Sequence, residues 1–573
     1  MVRAGRWIAP CYALGLTALI LAPLLRPGYL LLRDAVSTPR SYLTDTALGL
    51  GESAPRAVPQ DFAVALASRL VDGGTVVKAL LFVGLWLAGY GAARLVATVL
   101  PDAGLPGQLV AITVAIWNPY VAERLLQGHW SLLVGYACLP WVAVAMLGLR
   151  SGTSGLFGLV FFLALAGLTP SGLLLAAVVA LACLAIPGDG PPRWWCAVAA
   201  VAITATAALP WLMALVVGSG SSRGESAGVA AFAARAEPGL GTLGSLAGLG
   251  GIWNADAVPG SRTTVFALVA TAVLVGVVGL GWSTVQRVTA ARPLLLLAAV
   301  TVLVLAVLAT GPGLAVLRWA VDVAPGLGML RDGQKWVALA MPGYALAGAG
   351  AVAALRDRLP PARAALACCV ALVVVLPDLA WGVGGRVSPV HYPAGWAAVA
   401  AKINADPRPV AVLPADSMRH FSWSGDAPVL DPLPRWVRAE VLTTGDLNVG
   451  GQTVPGEGTH ARTVQQALLS GAEPATLGVN GVGWVVTESG TDGEMGSADK
   501  TLIRLPVSYR DSDLTLYRVG GRAPKASAGP RRAALAAHLA WLAMLVVGAG
   551  GLAINLAVRH RSAGTGGSSS TAA

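Results

Sequence analysis

The chain is poor in charge and nearly empty of the motifs that mark soluble enzymes. Only 12% of its 573 residues are charged. It has no Walker motif, no strand-borne GxGxxG, no HExxH and no GxSxG. Phosphate-cradling loops, zincin chemistry and the hydrolase nucleophile elbow therefore have no basis here. The six cysteines (Cys11, Cys138, Cys183, Cys196, Cys368 and Cys369) lie in or beside apolar runs, with no CxxC among them. That placement argues against a disulfide framework and against a thiolate zinc site. His391, His420 and His460 lack ligand spacing, so no histidine metal site is expected. Nothing before Trp7 resembles a cleavable signal, and the first apolar run reads as a retained helix.

What fills the sequence instead is apolar. With 55% hydrophobic residues and a mean hydropathy of +0.67, it reads as an integral membrane protein. A spanning helix needs about 20 mainly apolar residues. That rule gives roughly twelve candidates: 7–25, 76–98, 105–119, 130–148, 154–169, 171–186, 195–217, 263–282, 293–310, 335–354, 363–377 and 533–557. The stretch 154–186 reads equally as one hairpin or one long tilted segment. The formal charge of +11 invites a nucleic-acid reading, but no basic face with interleaved aromatics supports one.

Arginine orients the helices. Arg3, Arg6, Arg150, Arg193, Arg287, Arg292, Arg356, Arg358, Arg363, Arg559 and Arg561 fall on one side, which the positive-inside rule makes cytoplasmic. Arg531 and Arg532 run against this balance. Both termini are then cytoplasmic in a plasma (inner) membrane protein. The long loops 26–75, 120–129, 218–262, 311–334 and 378–532 gather on the other face. The expected fold is a polytopic α-helical membrane core (1–377) and an extracytoplasmic α/β domain (378–530). A last transmembrane helix (531–560) and a disordered cytoplasmic tail (561–573) follow. Within 378–530, RPVAVLP, GVGWVVTE, TLIRLPVSY and LTLYRV read as strands and GWAAVAAKINA as an amphipathic helix.

Four stretches on that face carry candidate chemistry. Asp34 follows the first membrane helix, where a carboxylate can take the proton of an attacking sugar hydroxyl. Arg33, Arg40 and Arg56 beside it suit a phosphate leaving group. The bland alternative is a capping aspartate among topology-setting arginines. In WNPYVAERLLQGHW, Pro119 ends one helix near Trp117, and 120–129 reads as a short interfacial helix. It turns Glu123, Arg124 and Gln127 toward the site, with His129 placed to hydrogen-bond phosphate or acceptor. The alternative is a Glu123–Arg124 surface pair between interfacial tryptophans. The loop 218–262 offers Arg223, Glu225, Arg235 and Glu237, then Asn254 and Asp256. GMLRDGQKW brings Arg331, Asp332, Gln334 and Lys335 to a helix start, where Arg331 and Lys335 are phosphate contacts or the cation-rich entry is structural alone. A carboxylate such as Asp34 leaves room for a divalent cation held with a phosphate.

NPYVAERLLQGHWSLLVGYACLPW and GMLRDGQKW resemble the membrane core of actinobacterial arabinofuranosyltransferase-like envelope proteins, within the GT-C superfamily of membrane glycosyltransferases. The similarity covers residues 1–380, and VAVLP and HFSWSGDAPVLDPLPRW in the outer region fit such envelope proteins. The bias toward Ala, Gly, Val, Leu and Arg is that of a high-GC bacterium. The resemblance implies a polyprenyl-phosphate sugar donor, an envelope glycan or glycolipid acceptor, contact with membrane lipids and none with nucleic acid. It places the catalytic acidic residue at Asp34. The family signature is often an acidic pair, whereas Arg33 precedes Asp34 here, so Asp45 and Asp61 stay as rivals. The rival functions are a flippase for a lipid-linked precursor, or a non-catalytic assembly protein.

Overall fold

The computed structural model describes residues 7–565 apart from 53–54, 153–154, 218–224, 450–451 and 523–527. Arg3, Arg6, Arg223 and the end of the tail (566–573) lie outside the described residues. The chain is mostly helical. Among the described residues eight helices are long and apolar enough to cross a membrane, or ten if two bent pairs each count as one span.

The difference from twelve has local causes. The 154–186 stretch is a helical hairpin, Leu156–Ala166 then Pro170–Ala182, each arm shorter than a bilayer demands. Thr169 breaks it by accepting Gly172 N–H at 3.0 Å, with Pro170 preset at the first helical position. Arg292–Leu308 turns by 91° into Gly311–Val323 at a Gly-Pro step that Thr310 caps. Pro361–Val374 turns by 73° into Pro377–Gly384. Where long helices do pack, small residues let them touch: a Cβ on Gly281 would collide with the backbone of Ala347 and Ala351.

On one end of this bundle the irregular segments meet. After the first helix, β1 (Leu31–Leu32) and β2 (Ala35–Val36) form a tight antiparallel hairpin with Arg33 and Asp34 at its tip. Arg33 takes a left-handed φ of 48°, a strained conformation for a residue with a Cβ.

The region near the C-terminus supplies the remaining strands. They are β3 (Val410–Leu413), β4 (Met418–Arg419), β5 (Val429–Leu430), β6 (Val441–Leu442), β7 (Leu447–Val449), β8 (Gln452–Val454), β9 (Trp484–Glu488), β10 (Val507–Arg510) and β11 (Leu514–Arg518). Five of them make a mixed sheet in the order β10-β11-β9-β3-β6. Side chains alternate across it, as strand geometry requires. Val410, Trp484, Val486, Leu514 and Leu516 pack beneath Ala394–Ala405, around Trp396. Ala411, Leu413, Val485 and Tyr517 pack beneath Thr459–Leu469. Of TLIRLPVSY only the last three residues, from Val507 on, belong to a strand (β10, Val507–Arg510). Thr501 and Leu502 belong to a short helix, Asp499–Leu502, and Pro506 separates the two.

A buried charge cluster sits at the strand ends. Arg419 Nε donates to Glu488 Oε2 at 2.5 Å, and Asp431 lies against the same carboxyl. Burial and the Asp431 charge push Glu488 up to about 8, so it keeps its proton at neutral pH. An acid whose folded value is raised stabilises fully below its unfolded value, about 4.3. That contribution is lost as pH rises through about 8. Glu488→Gln is therefore expected to flatten the decline of melting temperature between about pH 5 and 8. Thermal unfolding of both proteins at each pH checks this, and parallel curves would refute it.

Candidate active site

The central stretch folds as a short helix, Pro119–Leu126, within the polar segment between two apolar runs. Asn118 caps it by accepting Val121 N–H at 3.0 Å, and all eight residues are buried. Trp117, before the cap, is buried, and its indole donates to Leu376 O at 3.0 Å.

A protein must satisfy buried charge, and Glu123 and Arg124 are both 0% exposed. They do not pair with each other. Arg124 forms a two-pronged bridge to Asp332, at 2.8 and 3.0 Å, and also donates to Gln334. Gln334 passes the connection on, donating to Glu123 Oε2 at 2.9 Å. Glu123 accepts the backbone amides of Gly251 and Ile252, at 3.2 and 3.1 Å. Glu123, Arg124 and Asp332 thus lock three chain segments together, and none of the three is presented to a ligand. Gln334 is the linking residue whose role the sequence did not single out.

The far end of this network reaches the hairpin tip. Arg124 Nη1 lies 3.0 Å from His129 Nδ1, and His129 Nε2 lies 2.9 Å from Asp34 Oδ2. A guanidinium can only donate, so Nδ1 must be the acceptor and Nε2 carries the hydrogen. His129 therefore donates to Asp34 as a neutral imidazole. Gln127 Nε2 donates to the same oxygen at 3.0 Å, while Asn254 fixes Gln127 through its Oε1 at 2.8 Å. Among the described residues nothing hydrogen-bonds to Asp34 Oδ1, and the carboxylate side chain is 37% exposed. One oxygen is held and the other is open.

The charges agree with that division. Burial would raise the Asp34 carboxyl, but donation by His129 and Gln127 and the field of Lys335 bring it below its ordinary value. Burial lowers His129, outweighing the pull of Asp34, so the imidazole stays neutral. Burial likewise works to raise Asp332, and Arg124 and Lys335 reverse it, keeping Asp332 ionised.

Other candidates fall elsewhere. Arg33 spends its guanidinium on the carbonyls of Leu126 (2.7 Å) and Asp256 (3.0 Å), which props the hairpin rather than greeting a phosphate. Asp256 contributes that carbonyl while its side chain is exposed. Arg40 is tied to Ser68 at 2.9 Å and lies over Tyr42, away from Asp34. Asp45 pairs with Arg531 (2.6 Å) and Asp61 with Arg435 (3.2 Å), so neither rival shares the Asp34 cluster. Lys335, 3.9 Å from Asp332 and 19% exposed, is the cation that acts on both Asp34 and His129. Arg331 sits over the Phe232 ring at 4.6 Å in the same loop. Among the described residues no three carboxylate, imidazole or thiol groups converge as a metal set. Asp34 supplies at most one carboxylate ligand, so a divalent ion would draw the rest from phosphate and water.

The fold has a solved counterpart. The chain is similar in fold to the arabinofuranosyltransferase AftD from Mycobacteria, known by single-particle cryo-EM. The TM-score is 0.58 at 17% sequence identity, over 90% of this chain and 40% of that one. A mutant form of the same enzyme aligns with a TM-score of 0.48 at 14% identity, over 90% and 41%. No protein-family model and no curated protein matches the chain. At such identity the likeness is one of fold, and the chain spans 40% of AftD's length. It extends past residue 380 into the sheet-bearing region. Together with the apolar helices it marks a multi-pass membrane protein with a fold similar to that of AftD.

Proposed function

We propose that this protein is a cell-envelope glycosyltransferase that moves a sugar from a polyprenyl-phosphate donor to a glycan or glycolipid acceptor on the extracytoplasmic face. The observation that carries this reading is the divided carboxylate of Asp34. Oδ2 is clamped by His129 and Gln127, while Oδ1 has no hydrogen-bond partner among the described residues and the carboxylate lies within the field of Lys335. A base and a cation at one polar mouth of an apolar bundle are what a lipid-phosphate sugar donor requires.

The chemistry follows from those two groups. The acceptor hydroxyl approaches Oδ1, and its oxygen forms the new bond to the anomeric carbon as the bond to phosphate breaks. Asp34 takes the proton, and the phosphate departs with the bonding electrons toward Lys335 and Arg331. Attack opposite the leaving group inverts the anomeric centre. The polyprenyl chain stays in the bilayer, and membrane residues 1–377, the outer region after 377 and the last helix, Ala528–Thr565, divide the work between lipid and glycan.

The pH profile tests the assignment of the base. With Asp34 lowered and His129 neutral, the acidic limb of kcat/KM is expected below the ordinary aspartate value of about 3.9. A limb near the ~6.5 of free imidazole would make His129 the titrating base instead. The decisive experiment is glycosyl-linkage analysis of the envelope in a deletion strain. Loss of one linkage supports transfer. No lost linkage, with lipid-linked precursor accumulating on the inner leaflet, would favour flipping.

A further inference from the structure

A cavity of about 270 Å³ opens where the first long loop meets the sheet-bearing region, and Asp34 is not among the residues lining it. It is far larger than the ~30 Å³ share of one water and near the lower end of ligand pockets, ~300 Å³. One wall comes from residues 41–61 and the other from residues 411–468.

The wall chemistry selects a ligand. Three arginines line the cavity, and each already has an acidic partner: Arg56 pairs with Glu457 at 2.6 Å, Arg435 with Asp61 at 3.2 Å, and Arg419 donates to Glu488 at 2.5 Å within the field of Asp431. An anion would have to break one of these pairs. What remains unsatisfied is mostly acceptor. Glu457 is 7% exposed and gives Oε1 to Arg56, while its Oε2 has no partner among the described residues. Ser417 Oγ is also buried without a partner, and Gln465 makes no side-chain hydrogen bond among the described residues. Hydroxyls that donate as well as accept suit such a wall. No three metal-ligating groups converge there among the described residues.

The cavity is also joined to the candidate base. Leu430 lines it, and Leu430 N–H donates to Arg33 O at 2.9 Å, one residue from Asp34. We propose that this cavity is an acceptor subsite. It would bind a neutral, hydroxyl-rich saccharide unit while the reacting end of the same glycan lies at Asp34. The proposal rests on the glycosyltransferase reading above.

The test is saturation-transfer NMR on the purified full-length protein in micelles. The probes are neutral oligosaccharides, one pentofuranose series and one hexopyranose series. The expected result is binding of at least one series, weakened about tenfold or more by Ala461→Trp, which fills the cavity. Gln465→Leu, at a half-exposed position, keeps the test alive if Ala461→Trp does not fold. Asp34→Asn should bind like wild type. Binding of neither series, unchanged binding in both cavity variants, or displacement by calcium or inorganic phosphate would each overturn the subsite. If the cavity variants lose binding but the deletion strain loses no envelope linkage, the cavity is a saccharide site and the transferase reading, with the acceptor role, fails.

Discussion

Asp34→Asn is expected to lower transfer by about 10²- to 10⁴-fold, the usual worth of a positioned general base. Its fold should be intact. An asparagine can offer its carbonyl oxygen to His129 and Gln127, the two donors that hold Oδ2 now. What it offers the acceptor hydroxyl is an amide, which takes no proton at neutral pH. The loss should therefore fall on kcat rather than on KM for the lipid donor. The measurements are envelope linkage analysis with Asp34→Asn in the deletion strain, and donor kinetics on purified protein of matched yield. Full complementation by Asp34→Asn would remove Asp34 from the chemistry.

Arg124→Met is expected to act on stability first, destabilising by about 3–5 kcal/mol. The substitution leaves Asp332, 6% exposed, as a buried carboxylate deprived of its two-pronged partner. Arg124→Lys should fare little better, because an ammonium cannot make two parallel bonds in that geometry. The informative protein is Arg124→Met with Asp332→Leu. Replacing both charges with apolar groups removes the stranded carboxylate, so much of the thermal stability should return. Activity should not return with it. Without Arg124, Nδ1 of His129 loses the donor that fixes its hydrogen on Nε2, and Asp34 loses a reliable partner. Melting temperature and turnover measured on all three proteins separate the two effects. Recovery of both together would show that Arg124 does no more than fold the site.

The sequence made some of this visible for plain reasons. A carboxylate after the first apolar run and a polar stretch between two others are costly unless used, which brought Asp34, Gln127 and His129 forward together. It was less informative about direction. Glu123 and Arg124 are turned toward protein rather than ligand, because Pro119–Leu126 is enclosed on every side, and periodicity does not show what a helix will meet. Arg33 was misjudged for a similar reason: its partners are backbone carbonyls of Leu126 and Asp256, 93 and 223 residues distant. The expected count of about twelve exceeds the eight to ten helices that are long and apolar enough because short apolar runs, such as 154–169, end at a capped proline before reaching spanning length. The cavity was invisible because its walls come from segments some 350 residues apart in the chain, neither of them distinctive alone.

The hairpin tip bears on modularity. Arg33 receives backbone hydrogen bonds from, and gives them to, the strand at Pro428–Leu430, while Tyr29 does the same with Val390. The residue before the candidate base is in effect stitched into the sheet-bearing region. That region is then no detachable appendage. Exchanging it with that of a related enzyme would graft a foreign edge against the hairpin and shift Asp34, unless residues 29–37 travelled with it. A chimera cut only in the linkers should fold in two halves and fail at the seam.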